Sequence, residues 1–289
     1  PRVVGDRWRD LWLERLAGSG LWLESWLEHQ HRDVYWRHGS ICEDFAAVQC
    51  PVMAVSGWAD GYSNAVFRLL TGLQTPCRGL IGPWSHRYPH QGVPGPAIDF
   101  LNECRRWWDR WLKDVANGVD EEPALRAWMQ DSCRPFTAYE ERPGRWVAED
   151  SWPSPRIEQR AYTLGAARLL PTDQAVVTDD TQPRRITSPL SVGLFSGKWC
   201  SYSGAPDLPG DQREEDGGSL VFDSPPLPRR LEILGAVDVE LELVSDRPIA
   251  MICARLSDLM PDGPAAGVTY GLLNLTHHRG HARPRPVPA

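Results

Sequence analysis

The chain has 289 residues, with 31 Lys and Arg against 38 Asp and Glu, for a formal net charge of −7. That balance argues against a nucleic-acid binder, which carries a basic face. No run reaches the ~18–20 apolar residues that cross a bilayer, and 42% hydrophobic residues are enough to build a core.

Residues 6–37 read as two helices. Trp8, Leu11, Trp12 and Leu16 follow i, i+3, i+4, i+8 spacing, and Leu23, Trp26 and Leu27 continue a similar face after the Gly18-Ser19-Gly20 break. Pro51 to Gly57 is a short apolar run ending in glycine, which suits a buried parallel strand. Residues 64–73 follow as a helix, and residues 78–82 as a second short strand. A long helix is expected over about residues 98–116, with Phe100, Cys104, Trp107, Trp108, Trp111 and Leu112 at helical spacing. Strand, helix, strand, helix implies a right-handed crossover in a parallel sheet.

After about residue 120 the pattern becomes all-β. Val237, Val239, Leu241 and Leu243 alternate with acidic residues, as in a half-buried strand. Further strands are expected at 124–130, 160–164, 219–223, 249–257 and 268–276, separated by turns such as Met260-Pro261-Asp262-Gly263. Many short strands of this kind suggest a jelly-roll β-sandwich. Tryptophan marks the same change, since thirteen of the fourteen lie at or before Trp152. The seven cysteines are scattered and odd in number, and no C-x-x-C occurs. They read as small buried thiols in a reducing compartment, which predicts a cytoplasmic protein.

In a parallel α/β sheet, chemistry sits just past the carboxyl ends of the strands. Asp60 comes three residues after the first strand, in Gly57-Trp58-Ala59-Asp60-Gly61-Tyr62. His86 comes four after the second, in Gly82-Pro83-Trp84-Ser85-His86. Neighbouring strands would set the two loops side by side, so the carboxylate could accept a hydrogen bond from imidazole Nδ1–H. Strand–Asp–helix–strand–His is the latter part of a hydrolase sheet in which the triad runs Ser, Asp, His. A serine should then precede Asp60, yet no G-x-S-x-G occurs. Ser63 follows Asp60 and reads as a helix cap. Ser85 adjoins His86, which makes it a poor partner for that ring. His90, in the same loop, is a second candidate base.

These residues resemble the CocE/NonD-type hydrolases, relatives of X-Pro dipeptidyl-peptidase, cocaine esterase and α-amino-acid ester hydrolase. The resemblance rests on G-W-A-D-G-Y and G-P-W-S-H. It extends through Asn117-Gly118-Val119, Gly193 to Cys200, Pro206 to Arg213, Phe222 to Leu227 and Gly271 to His277. It implies Asp60 as triad acid and His86, not His90, as base. It also implies an α/β plus all-β architecture: residues 1–44 as the end of a helical cap, 45–118 as the last third of an α/β-hydrolase core, and 119–289 as an incomplete jelly roll. The serine nucleophile of the family's first strands has no counterpart here. Pro1, and the closing run Arg283-Pro284-Arg285-Pro286, then read as the edges of a fragment that is inactive alone.

Trp58 and Trp84 flank the two site positions and either wall an acyl pocket or pack beneath the loops. Trp22 and Trp26 are candidates for substrate access from the cap. His277, His278 and His281 read as a solvated tail rather than a metal site, and Asp211 to Asp216 as a solvated acidic loop. The expectation is a serine hydrolase of esters, amides or peptides with no metal or organic cofactor. Its partner is a small-molecule or peptide substrate rather than nucleic acid or membrane, and a homo-oligomer is compatible with the sequence. The other reading is a degenerate homologue in which the jelly roll serves as a binding or assembly module.

Overall fold

The computed structural model describes residues 2–173, 183–202 and 207–287. Pro1 and Pro206, named above, lie outside them. Two units separate by contact. One comprises Pro1–Glu43, Glu242–Ile252 and Leu272–Ala289, and the other Asp44–Leu241 and Cys253–Gly271.

In the first unit, α1 (Trp8–Gly18), α2 (Trp22–Glu28) and α3 (Val34–His38) follow in order. The sequence predicts two helices here and the structure has three. Asp33 explains the third, because its carboxylate accepts from the Tyr35 N–H at 3.0 Å and caps a new start. None of the three helices buries a residue, so the tryptophan stripe lies exposed.

The second unit is built on β1 (Val52–Gly57), α4 (Ser63–Gly72), β2 (Cys77–Gly82), α5 (Phe100–Lys113), β3 (Leu125–Gln130) and β4 (Gly144–Glu149). The four strands form one sheet in the order β1-β2-β3-β4. β1 pairs parallel to β2 from Val52↔Cys77 to Gly57↔Gly82. β2 pairs parallel to β3, and β4 closes the edge antiparallel. The sequence places 124–130 in the all-β part, whereas the structure makes it the third strand of the α/β sheet. Its apolar residues explain this: Leu125 and Ala127 are fully buried, packed with Ala54, Val66 and Ile81.

Strand alternation divides the core between the two faces. Ala54, Ile81, Leu125 and Ala127 pack against Val66 of α4. Leu80 packs against Phe100 and Cys104 of α5, with Met53 and Val55 alongside. In α5, Asp99 caps the Asn102 N–H at 3.3 Å. Phe100, Cys104 and Trp107 face inward, while Trp108 and Leu112 are exposed.

Beyond β4 the described residues hold two short sheets. One pairs β5 (Tyr162–Leu164) with β6 (Leu169–Pro171), and the other pairs β7 (Met251–Leu259) with β8 (Ala265–Asn274). The β7–β8 turn closes through Met260 N–H donating to Pro264 O at 2.9 Å. A single helical turn, α6 (Arg213–Asp216), lies between the two sheets in sequence. The strands expected at 219–223 and 237–243 form no ladder among the described residues. Asp223 makes one isolated bridge to Arg168, and Val237, Val239, Leu241 and Leu243 stay exposed. Alternation marks a side that wants burial, but a strand forms only where a neighbour supplies the other half of the ladder. The cysteines also depart from expectation: Cys104 is buried, whereas Cys42, Cys50 and Cys253 are exposed. Among the described residues, no helix is long and apolar enough to cross a membrane.

Candidate active site

The β1–β2 ladder does not stop at the strand ends. Trp58 N–H donates to Gly82 O at 2.9 Å, and Ala59 N–H donates to Trp84 O at 3.0 Å. The loops after the two strands are therefore held backbone to backbone. Glycine makes this approach possible, since a Cβ on Gly57 would collide with the Trp84 carbonyl. Cβ atoms on Gly82 and Gly92 would collide with the Trp84 indole.

Asp60 and His86 emerge from these two loops. His86 Nδ1 lies 3.0 Å from Asp60 Oδ2. A carboxylate only accepts, so Nδ1 carries the hydrogen and Nε2 has the free lone pair. Among the described residues Nε2 has no hydrogen-bond partner. Asp60 Oδ1 accepts from the Tyr62 N–H at 3.0 Å, which fixes the carboxylate plane. The Asp60 side chain is 9% exposed and that of His86 41%. The carboxylate is thus sheltered while the imidazole faces solvent.

A third segment completes the surroundings. His86 N–H donates to Ser201 O at 2.6 Å, and Arg87 Nε donates to Tyr202 O at 2.6 Å. The Tyr202 ring meets the imidazole edge-on at 5.0 Å, with Tyr62 at 5.7 Å on another side. Trp199 packs on Tyr62 at 5.2 Å and over Gly61. Cys200 Sγ lies 3.9 Å from Asp60 Oδ1. Sequence reasoning gives Tyr62, Tyr202 and Cys200 no role at the site, although Tyr62 closes the Gly57 to Tyr62 motif and Cys200 closes another of the family-like stretches.

The other candidates fall elsewhere. Trp84 is 1% exposed and donates its indole N–H to Pro96 O at 2.8 Å. It packs beneath the loops, out of a substrate's reach. Trp58 is half-buried, donates to Trp128 O at 2.7 Å and stacks on Phe67. Trp22 and Trp26 belong to the first unit and are exposed. His90 stacks on Phe100 and Tyr88, and its buried Nδ1 has no hydrogen-bond partner among the described residues. Ser63 is the first residue of α4, and Ser85 is buried with its hydroxyl unpartnered. In the first unit, His277 Nδ1 and His281 Nδ1 approach to 2.8 Å. Asp211 is paired with Arg213 rather than free.

Comparison with known proteins gives the family. Residues 117–289 match the family described as X-Pro dipeptidyl-peptidase C-terminal non-catalytic domain. Residues 3–88 match the one described as X-Pro dipeptidyl-peptidase (S15 family). A protein of Mycobacterium bovis named as a serine esterase is 30% identical over 262 residues, covering 87% of this chain and 38% of that protein. The cocaine esterase of a Rhodococcus species is 19% identical over 283 residues, covering 91% of this chain and 47% of the esterase. The chain thus spans less than half the length of the curated relatives it matches. A solved CocE/NonD family hydrolase of Staphylococcus aureus aligns over 52% of this chain and 26% of its own, at 15% identity and a TM-score of 0.40. By its family matches and the order of its motifs, the chain belongs to the CocE/NonD and X-Pro dipeptidyl-peptidase family of serine hydrolases.

Proposed function

We propose that this chain carries the acid and base of a serine hydrolase whose nucleophile lies on a segment outside these 289 residues. The observation behind this is the 3.0 Å bond between His86 Nδ1 and Asp60 Oδ2, with Nε2 free of any partner among the described residues. The serine hydroxyl attacks the substrate carbonyl while His86 Nε2 takes its proton, and Asp60 stabilises the resulting imidazolium. His86 then returns the proton to the leaving group, and the acyl-enzyme is cleared by a water that His86 activates in turn. The hydrolase order Ser, Asp, His and the lack of G-x-S-x-G support an external serine.

An ester is the favoured substrate, because the relatives above are named as esterases. On this reading residues 1–44 are the end of a cap, 45–118 part of a hydrolase core whose sheet continues through β3 and β4, and the residues beyond β4 a β-rich part that forms a jelly roll in the whole protein. The test is turnover by the longer protein of a p-nitrophenyl acyl ester against an X-Pro p-nitroanilide. Preference for the ester, lost in Asp60→Asn by ~10⁴-fold in kcat, supports the proposal. Unchanged turnover in Asp60→Asn refutes it. Preference for the anilide would replace esterase by dipeptidyl-peptidase activity.

A further inference from the structure

One ligand atom each from Asp60, His86 and Cys200 lies within 4.8 Å of the others. The acid and base come from two strand ends, and the thiol comes from a segment 140 residues after Asp60. We propose that these three side chains bind a thiophilic divalent cation of the Zn²⁺ class, and that occupancy silences the acid–base pair. The silencing step rests on the function proposed above, whereas the coordination does not.

The donor chemistry fits. A thiolate, an imidazole and a carboxylate are the ligand types of zinc, and three protein ligands leave a fourth position for water. Thiolate also selects against the hard cations Mg²⁺ and Ca²⁺. Tetrahedral zinc with Zn–S of about 2.3 Å and Zn–N of about 2.0 Å sets its ligand atoms about 3.3–3.6 Å apart. Asp60 and His86 already stand at 3.0 Å, and the thiol needs to close by roughly 1.3 Å at most. His86 is the exposed member and has room to do so.

The thiol's position is held from several sides. The His86 N–H to Ser201 O bond and the Arg87 to Tyr202 O bond pin the residues after Cys200. Trp199, before it, packs against Tyr62. Ser201 Oγ donates to the buried Asp207 carboxylate at 3.1 Å. Tyr62 N–H orients the Asp60 carboxylate, as outer-shell donors orient metal ligands. On binding, the thiol loses its proton to solvent, and the cation takes the carboxylate and one ring nitrogen, either Nε2 with Nδ1–H unchanged or Nδ1 with its hydrogen moved to Nε2. Either way the imidazole keeps no free lone pair and can no longer shuttle a proton.

The test uses the untagged chain and Zn²⁺ or Co²⁺ alone. Titration calorimetry should show one tight Zn²⁺ per chain, weakened more than about 100-fold in Cys200→Ser and in Asp60→Asn. It should be unaltered in His277→Ala/His281→Ala. Co²⁺ should give a thiolate charge-transfer band that Cys200→Ser removes. Independently of any variant's folding, Zn²⁺ should slow alkylation of Cys200 by iodoacetamide at least tenfold. Unchanged affinity in Cys200→Ser, loss of binding in the His277/His281 variant, or unprotected Cys200 would overturn the site. In the longer protein, Zn²⁺ should inhibit ester turnover, and Cys200→Ser should relieve the inhibition. Binding without inhibition overturns the silencing step. Should His86→Ala leave turnover unchanged while the unsubstituted chain still binds Co²⁺ with its Cys200-dependent band, the functional reading fails and the metal site stands.

Discussion

Ala59 N–H donates to the Trp84 carbonyl at 3.0 Å, and that bond joins the loop bearing Asp60 to the loop bearing His86. It exists because Gly57, two residues earlier, has no Cβ to strike the same carbonyl. Gly57→Ala should push the loops apart and cost about 1–3 kcal/mol, the usual range for overpacking. Thermal melting should show Tm lower by several degrees. Gly165→Ala, whose Cβ would meet only Arg168 O at 3.9 Å, should leave Tm nearly unchanged. Equal melting of both variants would show that the loops tolerate separation.

Trp84 fills the space those glycines leave. Trp84→Phe removes the donor to Pro96 O and part of the buried ring. A loss of about 1–3 kcal/mol is expected from the unpaired acceptor, with more from the cavity. Chemical denaturation should show a lower midpoint at an unchanged slope.

Much of this unit is legible in the sequence, for physical reasons. Apolar runs at 52–57 and 77–82 are short, end in glycine and are buried on both faces, so they read as parallel strands. With parallel order set, the proximity of Asp60 and His86 follows from their offsets past the strand ends. Other features depend on partners that local pattern does not encode. Leu125 and Ala127 alternate like any sandwich strand, and only the free edge of β2 recruits them to the α/β sheet. Val237 to Leu243 alternate equally well but find no ladder among the described residues. Cys200 approaches Asp60 across 140 positions, and the family-like stretch that ends at it does not encode that approach.

Glu215 holds the segment that leads to Cys200. It is 1% exposed, and its carboxylate accepts from the Gly193 N–H at 2.5 Å and the Phe195 N–H at 2.6 Å. Hydrogen bonds to a charged acceptor contribute about 1.5–3 kcal/mol each. Glu215→Ala should therefore destabilise by several kcal/mol, and Glu215→Gln, which keeps one acceptor, by less. Hydrogen exchange should show the Gly193 and Phe195 amides losing protection in the alanine variant first.

Asp211 gives the acid limb of stability. Its hydrogen bonds from Arg213, reinforced by the backbone N–H groups of Ala265 and Arg213, hold its carboxyl down at about 2. A carboxylate depressed in the folded state stabilises above its unfolded value, near 4, and the stabilisation is lost as pH falls through about 2. With solvent screening of this partly exposed pair the contribution is ~1 kcal/mol. Asp211→Asn should lower Tm by about 2–4 °C at pH 6, and the gap should close between pH 4 and pH 2. A gap independent of pH would assign the effect to packing instead.

The account's central claim is that Asp60 and His86 act as one unit on the same proton. Its most direct test is kcat for ester hydrolysis by the longer protein carrying Asp60→Asn, His86→Ala, or both. Each single change should lower kcat by ~10³–10⁴-fold or more, and the double variant should be no slower than His86→Ala alone. Full activity in either single variant, or losses that multiply in the double, would contradict it.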